Sequence, residues 1–180
     1  MPTIYLVRHC SATGQEPDAP LTEAGEQQAL DLSAFFQDVP IERIISSDYT
    51  RAVASITPVA NERNLTIEQE PKLRERILSL EPRADWFDLL RHSFDDPSFK
   101  LPEAESGLDA TARILDVVTQ INGPTTLVTH GNLLALLLQH VDNQFDFETW
   151  RNLSNPDVYQ LEIVDNFFSV KRVWSDPACG

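Results

Sequence analysis

Ile4-Tyr5-Leu6-Val7-Arg8-His9 is a short, partly β-branched apolar run closed by a guanidinium and an imidazole. Such a run reads as a strand buried on both faces, the kind found in parallel sheets. In open α/β sheets, ligands bind just beyond the carboxyl ends of the strands. An arginine and a histidine delivered there suit an anion: the arginine as a fork of donors, the histidine as nucleophile, ligand or base. Taken alone, the run is equally consistent with a strand that merely ends in two polar residues.

The same arrangement recurs twice. Thr125-Thr126-Leu127-Val128-Thr129 is a second strand and runs into His130-Gly131. The Leu-rich stretch at 133–138 that follows is better read as a buried helix. Arg43-Ile44-Ile45 is a third strand, leading into Ser46-Ser47-Asp48, a helix N-cap cluster, with Arg51 in the first helical turn. Arg8, His9, Arg51 and His130 thus come from three strand ends, and their convergence on one rim describes a phosphate site. Guanidinium forks match phosphate oxygens, which assigns Arg8 and Arg51 to binding. A metal site built on His9 and His130 is the chemical rival; a cation such as Arg8 beside a divalent ion disfavours it, and no metal is expected.

Four blocks, Leu6-Val7-Arg8-His9, Pro20-Leu21-Thr22-Glu23-Ala24-Gly25, Ser46-Ser47-Asp48-Tyr49-Thr50-Arg51-Ala52 and Val128-Thr129-His130-Gly131, resemble the histidine phosphatase superfamily, the phosphoglycerate mutase-like group. They stand in the family's order over roughly the first three quarters of the chain, which is far more specific than any one block. The resemblance implies a transiently phosphorylated histidine, His9, and makes His130 the second histidine of the pocket, protonated and donating when phosphate is bound. It also implies a general acid after a Leu-rich turn. Leu73-Arg74-Glu75-Arg76 matches that block, so Glu75 is the candidate, with Glu103 and Glu105 as fallbacks. The sequence departs from the family where Cys10 replaces the usual glycine after the histidine and Ala12 stands at a usual hydroxyl position. Thr13 and Gln15 are candidate substitutes for substrate contact, as is Asn132 after His130-Gly131. Cys10, beside a cationic pocket, is either a thiol of lowered pKa and enhanced reactivity, which alkylation would inhibit and phosphate protect, or an inert buried thiol.

The chain has 180 residues, 42% hydrophobic and 23% charged, which fits one globular domain over 1–180. A net charge of −14 disfavours nucleic acid and anionic lipid as partners; the partner that the resemblance implies is a small phosphorylated metabolite, which the two site arginines must attract against that overall charge. No stretch approaches the roughly 20 apolar residues of a membrane span, and the first strand begins by Thr3, so a cytoplasmic location without a signal peptide is expected. The 2 cysteines are far apart, with neither a disulfide framework nor a zinc site indicated. No cofactor is implied. His92 reads as surface and His140 as a helix-end residue.

The expected fold is a three-layer α/β/α sandwich with a mainly parallel sheet, an antiparallel C-terminal edge and a short helical insertion at 76–105 over the site. Residues 10–20 form a loop over the site. Helices are expected at 22–37, with Leu30, Ala34 and Phe35 inward, at 49–63, kinked or divided by Pro58, at 86–90, and at 106–121, with Leu108, Ala112, Leu115 and Val118 inward. A strand is expected at 65–67. A hairpin of 158–164 and 167–174 turns at Asp165-Asn166. The expected activity is metal-independent phosphate monoester hydrolysis through phospho-His9. The alternatives are phosphoglycerate mutase-type transfer, a protein phosphohistidine phosphatase, and a non-catalytic phospholigand-binding module. The short insertion counts against a mutase, which must exclude water, and Glu75 counts against the phosphohistidine phosphatase, whose small relatives tend to lack the acid.

Overall fold

The computed structural model describes residues 3–165 and 167–175. Six strands form one sheet: β1 (Thr3–Arg8), β2 (Arg43–Ser46), β3 (Ile67–Gln69), β4 (Thr125–Thr129), β5 (Asp157–Val164) and β6 (Phe167–Arg172). Their spatial order is β3-β2-β4-β1-β5-β6. The first four strands in that order pair in parallel, whereas β5 and β6 run antiparallel and make the C-terminal edge. The hairpin is thus present; of its expected turn, Asn166 lies outside the described residues.

Side chains alternate across a strand, so one sheet feeds two cores. Tyr5 and Val7 face helices α1 (Glu23–Phe36) and α2 (Thr50–Arg63), packing with Leu32, Phe36, Ile56 and Val59. Ile4 and Leu6 face the opposite way, toward α4 (Gly107–Val118) and α5 (Gly131–Val141), with α3 (Trp86–Asp95) and α6 (Phe147–Asn152) closing that layer. The result is the expected three layers. Residues 131–138 of α5 are all buried, which explains a helix with no polar face. Each fully buried leucine there contributes roughly 1.5–3 kcal/mol. No helix among the described residues is long and apolar enough to cross a membrane.

The helix faces correct the sequence reading. In α1, Leu30 is 55% exposed and Ala34 is also outward; Ala29, Leu32 and Phe36 point in. The cause is Gly25, where a Cβ would lie 2.0 Å from the Ser11 carbonyl oxygen. That close approach, with Thr22 capping Gly25 N–H, sets the rotation of the helix. In α4, Leu108 is 58% exposed and Ala112 outward, and Ala110, Ile114 and Val117 join Val118 inside. Here a capping box between Ser106 and Asp109, and Gly107 lying against the Pro97 carbonyl, fix the phase.

Three boundaries also move. α2 runs undivided through Pro58. It ends at Asn64 in the left-handed conformation (φ 53°), and Leu65 N–H closes back on Ala60 O, so β3 starts only at Ile67. The helical piece beginning at Trp86 continues to Asp95.

Candidate phosphate site at the strand ends

β1, β2 and β4 all end on the same edge of the sheet, and Arg8, Ser46 and Thr129 are their last residues. Arg8 pairs in register with Thr129 on one side and Asp157 on the other. His9 is held to Thr129 O through its backbone N–H (3.1 Å), and its own carbonyl accepts from Asn155 Nδ2 (2.8 Å). The imidazole is therefore carried on a backbone fixed from both neighbouring segments.

Hydrogen bonding defines the state of that ring. Nδ1 lies 2.7 Å from Cys10 O, a partner that only accepts, so Nδ1 carries the proton. Nε2 is then the free lone pair, and Arg51 Nε donates to it at 3.2 Å. Burial pushes the His9 pKa down to about 3, and the Arg51 and Arg8 charges add to that, against the opposing pull of the Cys10 carbonyl. The ring is neutral at neutral pH, with its lone pair on Nε2.

Arg51 is 1% exposed although charged. It sits in the first turn of α2, and its Nη1 donates to Gln15 O (3.2 Å) and Glu16 O (2.8 Å), which ties the 10–20 loop over the site. Arg8 Nη1 donates to Leu153 O (2.9 Å). Its guanidinium lies flat on Gly131, where a Cβ would come within 3.0 Å of Nε. Glycine at 131 is thus needed for space, not for its backbone conformation.

His130 is fully buried, and its ring centroid lies 5.0 Å from that of His9. Nε2 shares a hydrogen bond with Ser47 Oγ (2.8 Å), and Tyr49 packs edge-on against the ring. Desolvation holds the His130 pKa well below its usual value; the proximity of His9, which disfavours a second protonated ring, and the charges of Arg51, Arg113 and Arg8 act in the same direction. Its Nδ1, Arg8 Nε and Asn132 Oδ1 are buried with no hydrogen-bond partner among the described residues. Such groups each cost about 1–3 kcal/mol unless a ligand or water meets them, and all three belong to residues at or just after these strand ends.

Glu75 reaches the same edge from the connection after β3. Oε2 accepts from Asn132 N–H (3.0 Å); Oε1 accepts from Leu133 N–H (2.9 Å) and from Arg76 N–H (2.8 Å). Its carboxylate thus closes the exposed amides at the start of α5, immediately after His130, where a helix favours negative charge. Arg8, Gln15, Arg51, Glu75 and Asn132 line a common cleft of about 650 Å³.

Other sequence candidates lie elsewhere. Thr13 is a correction: its hydroxyl is exposed and turned to Pro20 O, because its backbone pairs with that residue across the loop. Glu105 is bound bidentately by Arg113 and accepts Ile77 N–H, and Glu103 is exposed at φ 61°. His92 is exposed, and His140 sits in the last turn of α5. The Ser46-Ser47-Asp48 cluster does not cap α2. The N-cap is Tyr49 without a side-chain bond, Ser47 serves His130, and Asp48 pairs with Arg74, whose guanidinium holds that carboxyl below its usual range. Among the described residues, no three His, Cys, Asp or Glu side chains cluster to hold a metal ion.

Of the two readings of Cys10, the structure favours the inert buried thiol. Its side chain is fully buried in the apolar layer beneath α1 and α2, and burial pushes the thiol up to about 12, against the Ser55 hydroxyl that pulls it down. We therefore expect Cys10 in the folded protein to alkylate roughly 10³-fold more slowly than a free thiol, following its thiolate fraction. Peptide mapping after iodoacetamide treatment, scoring Cys10 and Cys179 separately, checks this; labelling of Cys10 at the rate seen in denaturant would contradict it.

Sequence reasoning missed Ser47, Tyr49 and Asn155 as parts of the site. Ser47 and Tyr49 lay inside a quoted motif, but only their three-dimensional neighbours give them a role.

The sequence model of the Histidine phosphatase superfamily (branch 1) matches residues 4–176. The chain belongs to this superfamily. Among curated proteins it is similar to the probable phosphoglycerate mutase GpmB of Escherichia fergusonii, 26% identical over 160 residues, covering 77% of this chain and 74% of that one. Among solved structures it is similar to Bacillus stearothermophilus YhfR, at 25% identity and TM-score 0.75, covering 96% of both chains. A mycobacterial glucosyl-3-phosphoglycerate phosphatase in complex with inorganic phosphate has the same fold, at 22% identity and TM-score 0.75 over 98% of both chains. Superfamily relatives thus include both phosphatases and phosphoglycerate mutases.

Proposed function

We propose that this superfamily member hydrolyses small phosphate monoesters, without a metal, through a phosphohistidine formed on His9. The carrying observation is the pinned tautomer of His9: Nδ1 is committed to Cys10 O, leaving Nε2 unprotonated beside Arg51. A phosphoryl group entering the cleft takes the Arg51 fork in exchange for that bond and thereby frees the lone pair it needs.

In the first step, Nε2 attacks phosphorus and the P–O bond to the alcohol breaks. The electron pair of that bond leaves on the alcohol oxygen, which takes a proton from the Glu75 carboxyl. Arg8, Arg51 and His130 stabilise the three equatorial oxygens, where charge accumulates in the transition state. In the second step, water attacks phosphorus and gives a proton to the Glu75 carboxylate; the P–Nε2 bond breaks, its electron pair returns to Nε2, and inorganic phosphate leaves. Glu75 Oε2 accepts one backbone bond, whereas Oε1 accepts two. Oε2 is therefore the oxygen with a lone pair left to carry the proton.

Hydrolysis is favoured over transfer because the cleft is open to water beside half-exposed Trp86. The mutase reading has one observation of its own, the likeness to GpmB. A panel of phosphorylated metabolites assayed in EDTA separates the two. We expect release of inorganic phosphate, undiminished by the chelator, and no interconversion of phosphoglycerates. Phosphoglycerate isomerisation without phosphate release, or activity that chelation removes and zinc or manganese restores, would overturn this reading.

A further inference from the structure

The cleft extends well beyond the phosphate-binding groups, and its outer part has a different chemistry. Ile77, Leu78, Leu90, Trp86 and Trp150 form its wall. Trp86 is 48% exposed and stands edge-on to Trp150, with ring centroids 6.3 Å apart, and edge-on to Phe87 at 5.6 Å. Trp150 in turn packs on Phe147, so the wall is braced from behind by buried aromatic rings. Exposed large apolar side chains concentrated at a cleft mark a binding surface more than scattered ones do.

The charges of that outer part are already spent. Arg76 donates Nη1 to Ser93 Oγ (2.7 Å), and Nε and Nη2 to Glu105 O (3.2 and 3.1 Å). Arg83 is held bidentately by Asp85 (2.8 and 2.9 Å). Glu81 adds a further carboxylate to the lining. Beyond Arg8 and Arg51, this part of the cleft offers a second anionic group no arginine that is not already bonded, and it sets negative charge against one.

We infer that the alcohol portion of the substrate is uncharged and carries an apolar planar group about the size of a benzene or indole ring, seated against Trp86 and Trp150. This rests on the cleft being the phosphate site of the proposed hydrolase. Phosphoglycerates and phosphoserine, which present a carboxylate next to the ester, fit it poorly.

The test pairs ethyl phosphate with 2-phenylethyl phosphate, whose alkoxides are about equally poor leaving groups, so the comparison reports on the ring. The wild-type kcat/KM is expected to favour the phenylethyl ester by about 10–100-fold, the scale of burying one aromatic ring. 3-Phosphoglycerate is expected to rank below it by at least as much. Trp86→Ala should reduce the ester ratio to within about threefold, and Trp86→Phe should keep most of it. Leu80→Ala removes an equally exposed apolar side chain from the same segment, off the cleft lining, and should leave the ratio unchanged.

A wild-type ratio near one, a preference for 3-phosphoglycerate, or an undiminished ratio in Trp86→Ala would overturn the inference. Binding of 2-phenylethylphosphonate and ethylphosphonate, measured by calorimetry, needs no turnover. Tight, Trp86-dependent binding of the former without hydrolysis of either ester would sink the hydrolase reading and sustain this one. Equal affinities would sink this one alone.

Discussion

His9→Ala is expected to lower turnover by at least about 10⁴-fold on every monoester, the scale of losing a covalent nucleophile, while leaving the fold intact. The second half follows from the packing. The ring's hydrogen bonds go to Cys10 O and Arg51, and Arg51 keeps its bonds to Gln15 O and Glu16 O when the ring is removed. The backbone of residue 9 keeps its bonds to Thr129 O and Asn155. Rapid quenching of the wild type with a ³²P-labelled ester should trap a phosphoenzyme that is labile to acid and stable to base, as a phosphoramidate is. The variant should trap none. An unchanged rate in His9→Ala, or a base-labile phosphoenzyme, would replace His9 by another nucleophile.

The backbone of this site was legible because strand and motif signals are local. Val7, Arg8 and His9 are neighbours in sequence, so recognising the strand also places the two functional side chains at its end. The same holds for Thr129 and His130. What escaped the sequence was everything set by contacts across long separations. The phase of α1 depends on Gly25 meeting Ser11, and that of α4 on Gly107 meeting Pro97. A 3.6-residue pattern with several apolar choices does not reveal which contact wins.

Cys10 shows the same limit at the shortest range. Adjacency to a cationic pocket suggested an activated thiol, yet β1 ends at Arg8, and beyond it the alternation of a strand no longer sets where side chains point. The His9 ring meets Arg51 and His130, whereas Cys10 packs in the apolar layer with Val7. Thr13 fails for a related reason, since the loop that carries it folds back on Pro20. Glu75 was found from its motif, but its seat on the first amides of α5, 57 and 58 residues away, was not. That seat is what brings it beside His130.

Its position gives Glu75→Gln a distinctive expected result. If Glu75 Oε2 protonates the leaving oxygen, the cost of removing it depends on how much the leaving group needs a proton. Alkyl phosphates leave poorly, so their rate should fall by about 10²–10⁴-fold, the usual contribution of general acid catalysis. A nitrophenyl phosphate leaves readily, so phosphorylation of His9 should be far less affected. The second step still lacks its base, so phosphoenzyme should accumulate and nitrophenol should appear as a burst. Glutamine keeps an amide oxygen able to accept from Asn132 or Leu133 N–H, so α5 remains capped and the comparison reports on the proton. Glu105→Gln and Glu103→Gln should show neither the steep leaving-group dependence nor the burst. The Glu105 carboxylate is bonded to Arg113 and Ile77 N–H, and Glu103 is exposed at a turn. Small and equal losses on both substrates in Glu75→Gln would show that the proton comes from elsewhere, and would leave Glu75 as the cap of α5 alone.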